Sequence, residues 1–262
     1  MKLTLLLKLT TFVIAKSISE TIQLDGGSLK ITEYLPAEME TQIIPKTFHT
    51  IWLDFGKGDE VFPKYVENME KLKALHPDWE FKLWKKDDIL TLIKNEFPYF
   101  KETFTNYDRV IKMHDSARIL ILYSQGGVYL DQDFIPLRNI NPIMKFYNFV
   151  IGNEEKDDFT PVNGFIGSIA GHGLLKMMIE EMAKPETASK FVLEATGPGM
   201  VKKTMLEYAK NHDLKYIKVY SNKFFYPVSY KNKKILKNNS ISNLMNKFPH
   251  CYLLQEYDAS WQ

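Results

Sequence analysis

Gly126-Gly127-Val128-Tyr129-Leu130-Asp131-Gln132-Asp133 is the stretch that decides how this chain is read. Paired glycines stop a helix, three apolar residues form a short strand, and two carboxylates follow with one residue between them. Asp131 and Asp133 share parity, so in an extended chain both side chains leave on the same face. Carboxylates converging at the end of a buried strand make a poor core and a good seat for a hard cation.

Just upstream, Asp108 to Gln125 reads as a helix with Ala117, Leu120, Ile121 and Tyr123 on its apolar body, closed by Gly126. Asp115 and Arg118 are three residues apart and share a face of it. A surface ion pair is the plain reading. A working pair is the sharper one, because this helix delivers the chain straight into the aspartates.

Downstream, Phe134 to Leu137 continues extended, Phe149 to Gly152 reads as a strand, and Asn163 to Ala170 as another built of small residues. Gly171-His172-Gly173 precedes a helix over Leu174–Met182. Thr196-Gly197-Pro198-Gly199 opens a helix over Met200–Lys210, with Thr196 as its cap and free N–H groups suited to an anion. Tyr216 to Tyr220 is a further strand, and the basic run Lys231 to Asn239 a solvated loop or hairpin.

On the N-terminal side, Thr47 to Leu53 is β-rich, Val61 to Leu75 has helical spacing, and Trp79 to Trp84 alternates like a half-buried strand. Asp87 or Asp88 caps a helix running from Ile89 to Glu96. This alternation of strand and helix predicts an α/β sandwich on a mainly parallel sheet. Residues 1–38 stand apart from it. Leu3 to Ala15 is about as long as a secretory signal and too short to span a bilayer, and an amphipathic segment packed on the body is the other reading. The division is thus an N-terminal segment and linker over 1–38 and one domain over 39–262.

Composition narrows the function. The chain of 262 residues carries 34 Lys+Arg against 32 Asp+Glu, without the basic excess of a nucleic-acid binder. Its single cysteine, Cys251, excludes an intrachain disulfide and a cysteine-based zinc site. A lone Asp-x-Asp supplies too few ligands for a closed cation cage. Mn²⁺ or Mg²⁺ held there would share its remaining positions between water and substrate phosphates. That arrangement fits transfer from a diphosphate-linked donor, since the cation neutralises charge on the leaving group. A magnesium-dependent phosphohydrolase is a rival, although such enzymes place the pair early and follow it with a Gly-Thr type of turn. A binding module without turnover is the other.

The run from His114 to Asp133 resembles the signature in which Asp-x-x-Arg precedes Gly-Gly-x-Tyr-x-Asp-x-Asp. It looks like glycosyltransferase family 32, which holds yeast-type initiating mannosyltransferases, inositol-phosphoceramide mannosyltransferases and bacterial capsular sugar transferases. Ile44 to Trp52, His76 to Trp84, Asn163 to Ser168 and Thr196-Gly197-Pro198 are similar to further landmarks of that family, so the resemblance covers roughly residues 43–261. It implies a GT-A fold, a Rossmann-like nucleotide-binding α/β/α sandwich, and a retaining transferase moving mannose, galactose or glucose from a GDP- or UDP-hexose to a glycan or glycolipid. It implies that Asp133 and Asp131 serve the metal and that Asp115 and Arg118 position the donor sugar. Trp52 would stack on the base, and Tyr129 and Asn163 would line the site. His49 is expected to be structural. A Golgi or secretory location follows if the N-terminus is a signal or anchor, and membrane association would then run through it. The tail departs from the family's His-His-Trp-x-x-Ser-Trp type of ending. Glu256 and Ser260 would take the histidine's place at the metal, with Trp261 closing over the diphosphate.

Overall fold

A computed structural model describes residues 43–54, 60–156, 158–236 and 239–258; the N-terminal segment, Ser260 and Trp261 lie outside the described residues. Strand β1 (Thr47–Ile51) leads to helix α1 (Pro63–Leu75), strand β2 (Glu80–Trp84) and helix α2 (Lys86–Glu96). Helix α3 (Val110–Gln125) then feeds β3 (Gly127–Leu130), and β4 (Phe134–Pro136), β5 (Phe149–Asn153) and β6 (Pro161–Ser168) follow. Helices α4 (Gly173–Met182), α5 (Val192–Ala195) and α6 (Pro198–Tyr208) precede β7 (Ile217–Tyr220), and β8 (Leu253–Gln255) is the last strand described.

The main sheet has the order β2-β1-β3-β6-β5-β7. Strand β1 is parallel to β2 and β3, and β5 is parallel to β7. Strand β6 runs against both of its neighbours, so the mainly parallel sheet is mixed at this point. That reversal matters for the site. It sets Phe165 opposite Leu130, so Asn163 and Gly164 lie beside the paired aspartates.

Alternate strand residues enter two cores, one on each face of the sheet. Tyr129, Phe149, Ile151 and Ile166 pack with α2, α3, α4 and α6. Val128, Leu130, Val150 and Phe165 pack with Phe48, Leu72, Trp79 and Phe225 on the other face. Both faces being covered makes the molecule an α/β/α sandwich, and it explains why the strands read as continuous apolar runs.

Both glycines ahead of β3 are required. Gly126 has φ 65° and Gly127 φ 95°, a region that side chains rarely adopt. A Cβ on Gly127 would lie 2.6 Å from the Thr47 carbonyl oxygen and 2.8 Å from His49 Nε2. His49 is structural, as expected. Trp84 Nε1 donates to its Nδ1, so its Nε2 carries the proton and donates to the Gly126 carbonyl, 2.9 Å away.

Several local expectations need correction. The chain turns at Gln132-Asp133 instead of running extended from β3 into β4. Helix α2 starts before the proposed Asp87/Asp88 cap, and Asp88 instead accepts from the Lys85 backbone N–H at 2.9 Å. The basic run from residue 230 is a 3-10 helix over Tyr230–Leu236. Thr196 does not cap α6: its residue role passes to Gly197, and its hydroxyl goes elsewhere.

Candidate functional site

The C-terminal ends of β1 and β3 open onto one cavity of about 640 Å³. Such a crevice beyond the carboxyl ends of the strands is where open α/β sheets bind ligands. Trp52, Asp115, Arg118, Asp131, Asp133 and Asn163 all line it, brought together from the end of β1, α3, the turn after β3, and β6. Tyr129, expected to line the site, is instead fully buried behind Asp131, and Glu256 does not line the cavity.

Arg118 is the hub. Its Nη2 lies 2.8 Å from Asp115 Oδ1, its Nη1 donates to the Asn163 carbonyl at 2.6 Å and lies 3.4 Å from Asp131 Oδ1. Its guanidinium also stands over the Tyr129 ring, 4.7 Å from the centroid. Burial works against this charge, and Asp131, Tyr129 and Asp115 outweigh it, so the guanidinium is held more firmly protonated than usual. Asp115 is fixed on its other side by Asn163 Nδ2 at 3.1 Å and Thr196 Oγ1 at 3.0 Å. Burial pushes the Asp115 and Asp131 carboxyls upward, and Arg118 opposes this in both. The i, i+3 pair is thus a buried network and not a surface ion pair.

Tyr129 donates to Asp131 Oδ1 at 2.6 Å, which orients that carboxylate. Gly164 allows its approach: a Cβ there would lie 2.9 Å from Asp131 Oδ2. The Asp131 backbone N–H in turn donates to the Gly164 carbonyl at 2.9 Å.

Asp133 is held differently. Its Oδ2 accepts from the Asp258 backbone N–H at 3.0 Å, and its carbonyl from the Glu256 N–H at 2.8 Å. These contacts exist because β4 pairs antiparallel with β8, Phe134 opposite Gln255. Burial, then the charge of Asp131, pushes the Asp133 carboxyl up to about 7. Asp131 already faces Arg118, whereas Asp133 is raised by burial and by the Asp131 charge, and a hard divalent cation fits that pair. Among the described residues no three His, Cys, Asp or Glu side chains are grouped to hold one unaided. The Glu256 carboxylate lies 3.0 Å from Lys64 Nζ, which also binds Asp258 at 2.6 Å. Trp52 is 8% exposed and makes edge contacts with Phe62 and Tyr65, with centroids 5.3 and 6.3 Å away.

The α6 N-terminus offers an anion less than its sequence suggests. The Gly197 N–H already donates to the Val192 carbonyl at 2.9 Å, and Pro198 has none.

Sequence reasoning missed three lining groups. His114 accepts at Nδ1 from Arg118 Nη2 at 3.0 Å, so its Nε2 bears the proton and faces the Ile51 carbonyl at 3.3 Å. Burial, then the Arg118 charge, lowers its pKa to about 3, and it stays neutral. Its i, i+4 spacing to Arg118 was a visible signal. Glu154, at the end of β5, lines the cavity with its carboxyl pushed upward by burial. Tyr257, at φ 55°, reaches the cavity from the tail. Neither had a sequence signal.

Comparison with known proteins agrees with this geometry. The family described as "Glycosyltransferase sugar-binding region containing DXD motif" matches residues 63–150. An uncharacterized glycosyltransferase of Acanthamoeba polyphaga mimivirus is 28% identical over 84% of this chain and 84% of its own length. A mannosyl phosphorylinositol ceramide synthase of Saccharomyces cerevisiae is 32% identical over 55% of this chain and 37% of its own length. An inositol phosphoceramide mannosyltransferase of Schizosaccharomyces pombe is 25% identical over 66% of this chain and 53% of its own. The chain therefore spans about half or less of these two yeast relatives. Among solved structures, PaToxG glycosyltransferase has a TM-score of 0.51 at 18% identity, over 80% of this chain and 83% of that one. The UDP-bound glycosyltransferase domain of the YGT toxin has a TM-score of 0.51 at 9% identity, over 68% and 80%. At such identities the likeness is one of fold, and the fold is GT-A. Residues 63–150 thus match a DXD-motif glycosyltransferase region, and the chain as a whole is similar to glycosyltransferases.

Proposed function

We propose that this glycosyltransferase moves a hexose from a nucleotide-diphosphate sugar to a hydroxyl of a glycan or glycolipid, with retained anomeric configuration. The observation that carries the reading is the buried Asp115–Arg118–Asp131 network on the wall of a cavity that Asp133 also lines. A cavity of about 640 Å³ is within the usual range for a small-molecule site. The yeast relatives, named for mannosyl transfer to inositol phosphoceramide, support a hexose donor and a glycolipid acceptor.

Asp131 and Asp133 are the residues that would hold Mn²⁺ or Mg²⁺ beside the donor diphosphate. When bound, the cation neutralises charge on the leaving diphosphate. Glu256 is engaged by Lys64, and the proposal does not depend on it. Asp115 and Arg118 accept and donate hydrogen bonds to the sugar hydroxyls, and Asn163 fixes the Asp115 carboxylate for that task. Trp52 offers its face to the base. The acceptor oxygen bonds to the anomeric carbon on the face from which the diphosphate oxygen departs, and the acceptor proton passes to that oxygen. Rigid placement supplies the orientation, and no covalent nucleophile is assigned.

The test is nucleotide release with Mn²⁺ and a panel of GDP- and UDP-hexoses. Release with one donor, abolished by chelation, is expected. Tight donor binding without release from any donor would overturn the reading in favour of a binding module.

A further inference from the structure

Four of the seven large apolar side chains exposed among the described residues lie on two segments that each reach the cavity, while Ile43, Val66 and Tyr99 are exposed elsewhere. Phe191 is 88% and Leu193 58% exposed, Tyr230 46% and Ile235 40%. Both segments serve the same site, since Leu193 and Tyr230 line the same cavity. Neither is a loose loop. The N–H groups of Glu194 and Ala195 donate to the Phe191 carbonyl at 3.1 and 2.9 Å, and those of Thr196 and Gly197 to the Val192 carbonyl. A Cβ on Gly199 would meet the Leu193 carbonyl oxygen at 2.8 Å, so α5 is pressed onto the start of α6. Phe191 is therefore held out into solvent by a fixed backbone. Exposed apolar side chains grouped at a cavity and rimmed by charge mark an interaction surface, where single ones do not.

The charge around these residues says what that surface meets. Ser189 to Glu194 and Ser229 to Leu236 contain Lys190, Lys231, Lys233 and Lys234 against the single acid Glu194. Lys190, Lys231 and Lys234 are exposed, and Lys233 stands over the Tyr230 ring, 4.4 Å from its centroid. Apolar side chains flanked by lysines match a headgroup layer, where rings enter the acyl boundary and ammonium groups stay among phosphates.

We infer that the Phe191–Leu193 and Tyr230–Ile235 lip is a docking surface for an anionic lipid bilayer and holds the mouth of the cavity against it. The position suits an acceptor hydroxyl presented on a lipid, and in that respect the inference rests on the proposed glycolipid acceptor. The lip also reaches the sugar site mechanically. Thr196, one residue after α5, donates to Asp115, so the backbone that meets the membrane continues directly into the residue that orients the donor.

The test needs no turnover, so its failure and that of the proposed reaction are separable. The sole natural cysteine, Cys251, is buried and its thiol is pushed up to about 12, so a cysteine introduced elsewhere labels alone. Full-length Phe191→Cys and, as a distant control, Glu96→Cys carry an environment-sensitive fluorophore. Vesicles of phosphatidylcholine, with and without phosphatidylserine, are added. A blue shift at position 191 with anionic vesicles only, absent at position 96, is expected. Lys231→Ser and Lys234→Ser should each weaken vesicle binding about fivefold. Equal response at both positions, or none at 191, would overturn the inference. So would a blue shift at 191 that grows with protein concentration in the absence of lipid, which would mark the lip as a contact between two copies of the chain.

Discussion

The two aspartates of the central motif are held by opposite means. Asp131 is fixed by side chains: Tyr129 donates to it and Arg118 faces it, both within residues 63–150. Asp133 is fixed by backbone N–H groups of Asp258 and Glu256, far outside that region. A side-chain partner must keep its identity, whereas a backbone partner needs only to be present.

Substitutions can break or sharpen this contrast. The largest effect is expected for Arg118→Ala, which leaves Asp115 and Asp131 buried without their countercharge. It should cost about 3–5 kcal/mol in a denaturant titration. Asp133→Asn should lower nucleotide release by about a hundredfold or more, roughly 3 kcal/mol, through the lost electrostatic contribution. Retained release would show that Asp131 alone suffices and would dissolve the contrast.

Acidification probes the buried histidines, of which His114 lies beside Arg118, His49 beside the start of β3, and His172 caps α4. His49 and His172 are lowered to about 4, in each mainly by burial, and His114 to about 3. In the unfolded chain each takes up its proton near pH 6.5. Between pH 6.5 and about 4 each of these histidines therefore contributes stability that falls as pH falls, while the raised carboxyls of Asp115, Asp131, Asp133 and Glu154 contribute in the opposite direction. The slope should not exceed about 1.4 kcal/mol per pH unit for each histidine, and thermal melts across that window would read it. The histidine share is the difference between the protein and His172→Gln across that window; equal pH slopes in the two would contradict the neutral assignment of His172.

The smallest effect is expected for Glu256→Gln and Asp258→Ala. Both remove partners of Lys64 and leave the backbone N–H groups in place. Partly exposed pairs of this kind contribute about 1 kcal/mol or less, so release should change by less than about fivefold. A loss in Glu256→Gln as large as that in Asp133→Asn would show that this carboxylate serves the cation, as its place in the tail first suggested.

Legibility follows the same division. Helix α3, strand β3 and the glycines between them can be read in sequence because each residue's role is local: apolar spacing, a positive φ, a fixed offset between Asp115 and Arg118. Arg118 and Tyr129 could be singled out for the same reason, although their contacts with Asp131 emerge only in the fold. What could not be read depends on pairings remote in sequence. The reversed strand β6 brings Gly164 to Asp131, and β8 brings Asp258 to Asp133. Thr196 was visible as a helix cap, yet its hydroxyl serves Asp115, since Gly197 takes the capping position. Three-residue strands such as β4 and β8 carry too little periodicity to announce themselves.

The pairing of β4 with β8 also sets an order of events. Asp133 and the Asp258 N–H that holds it are 125 residues apart, and Gln255, which also reaches the Asp133 carboxylate, belongs to β8 as well. On the ribosome, Asp131 and its neighbours can assemble once β6 has emerged, but Asp133 must wait until β8 is released. The cation seat is thus completed late in synthesis, and a nascent or truncated chain that stops short of β8 is left with half of it.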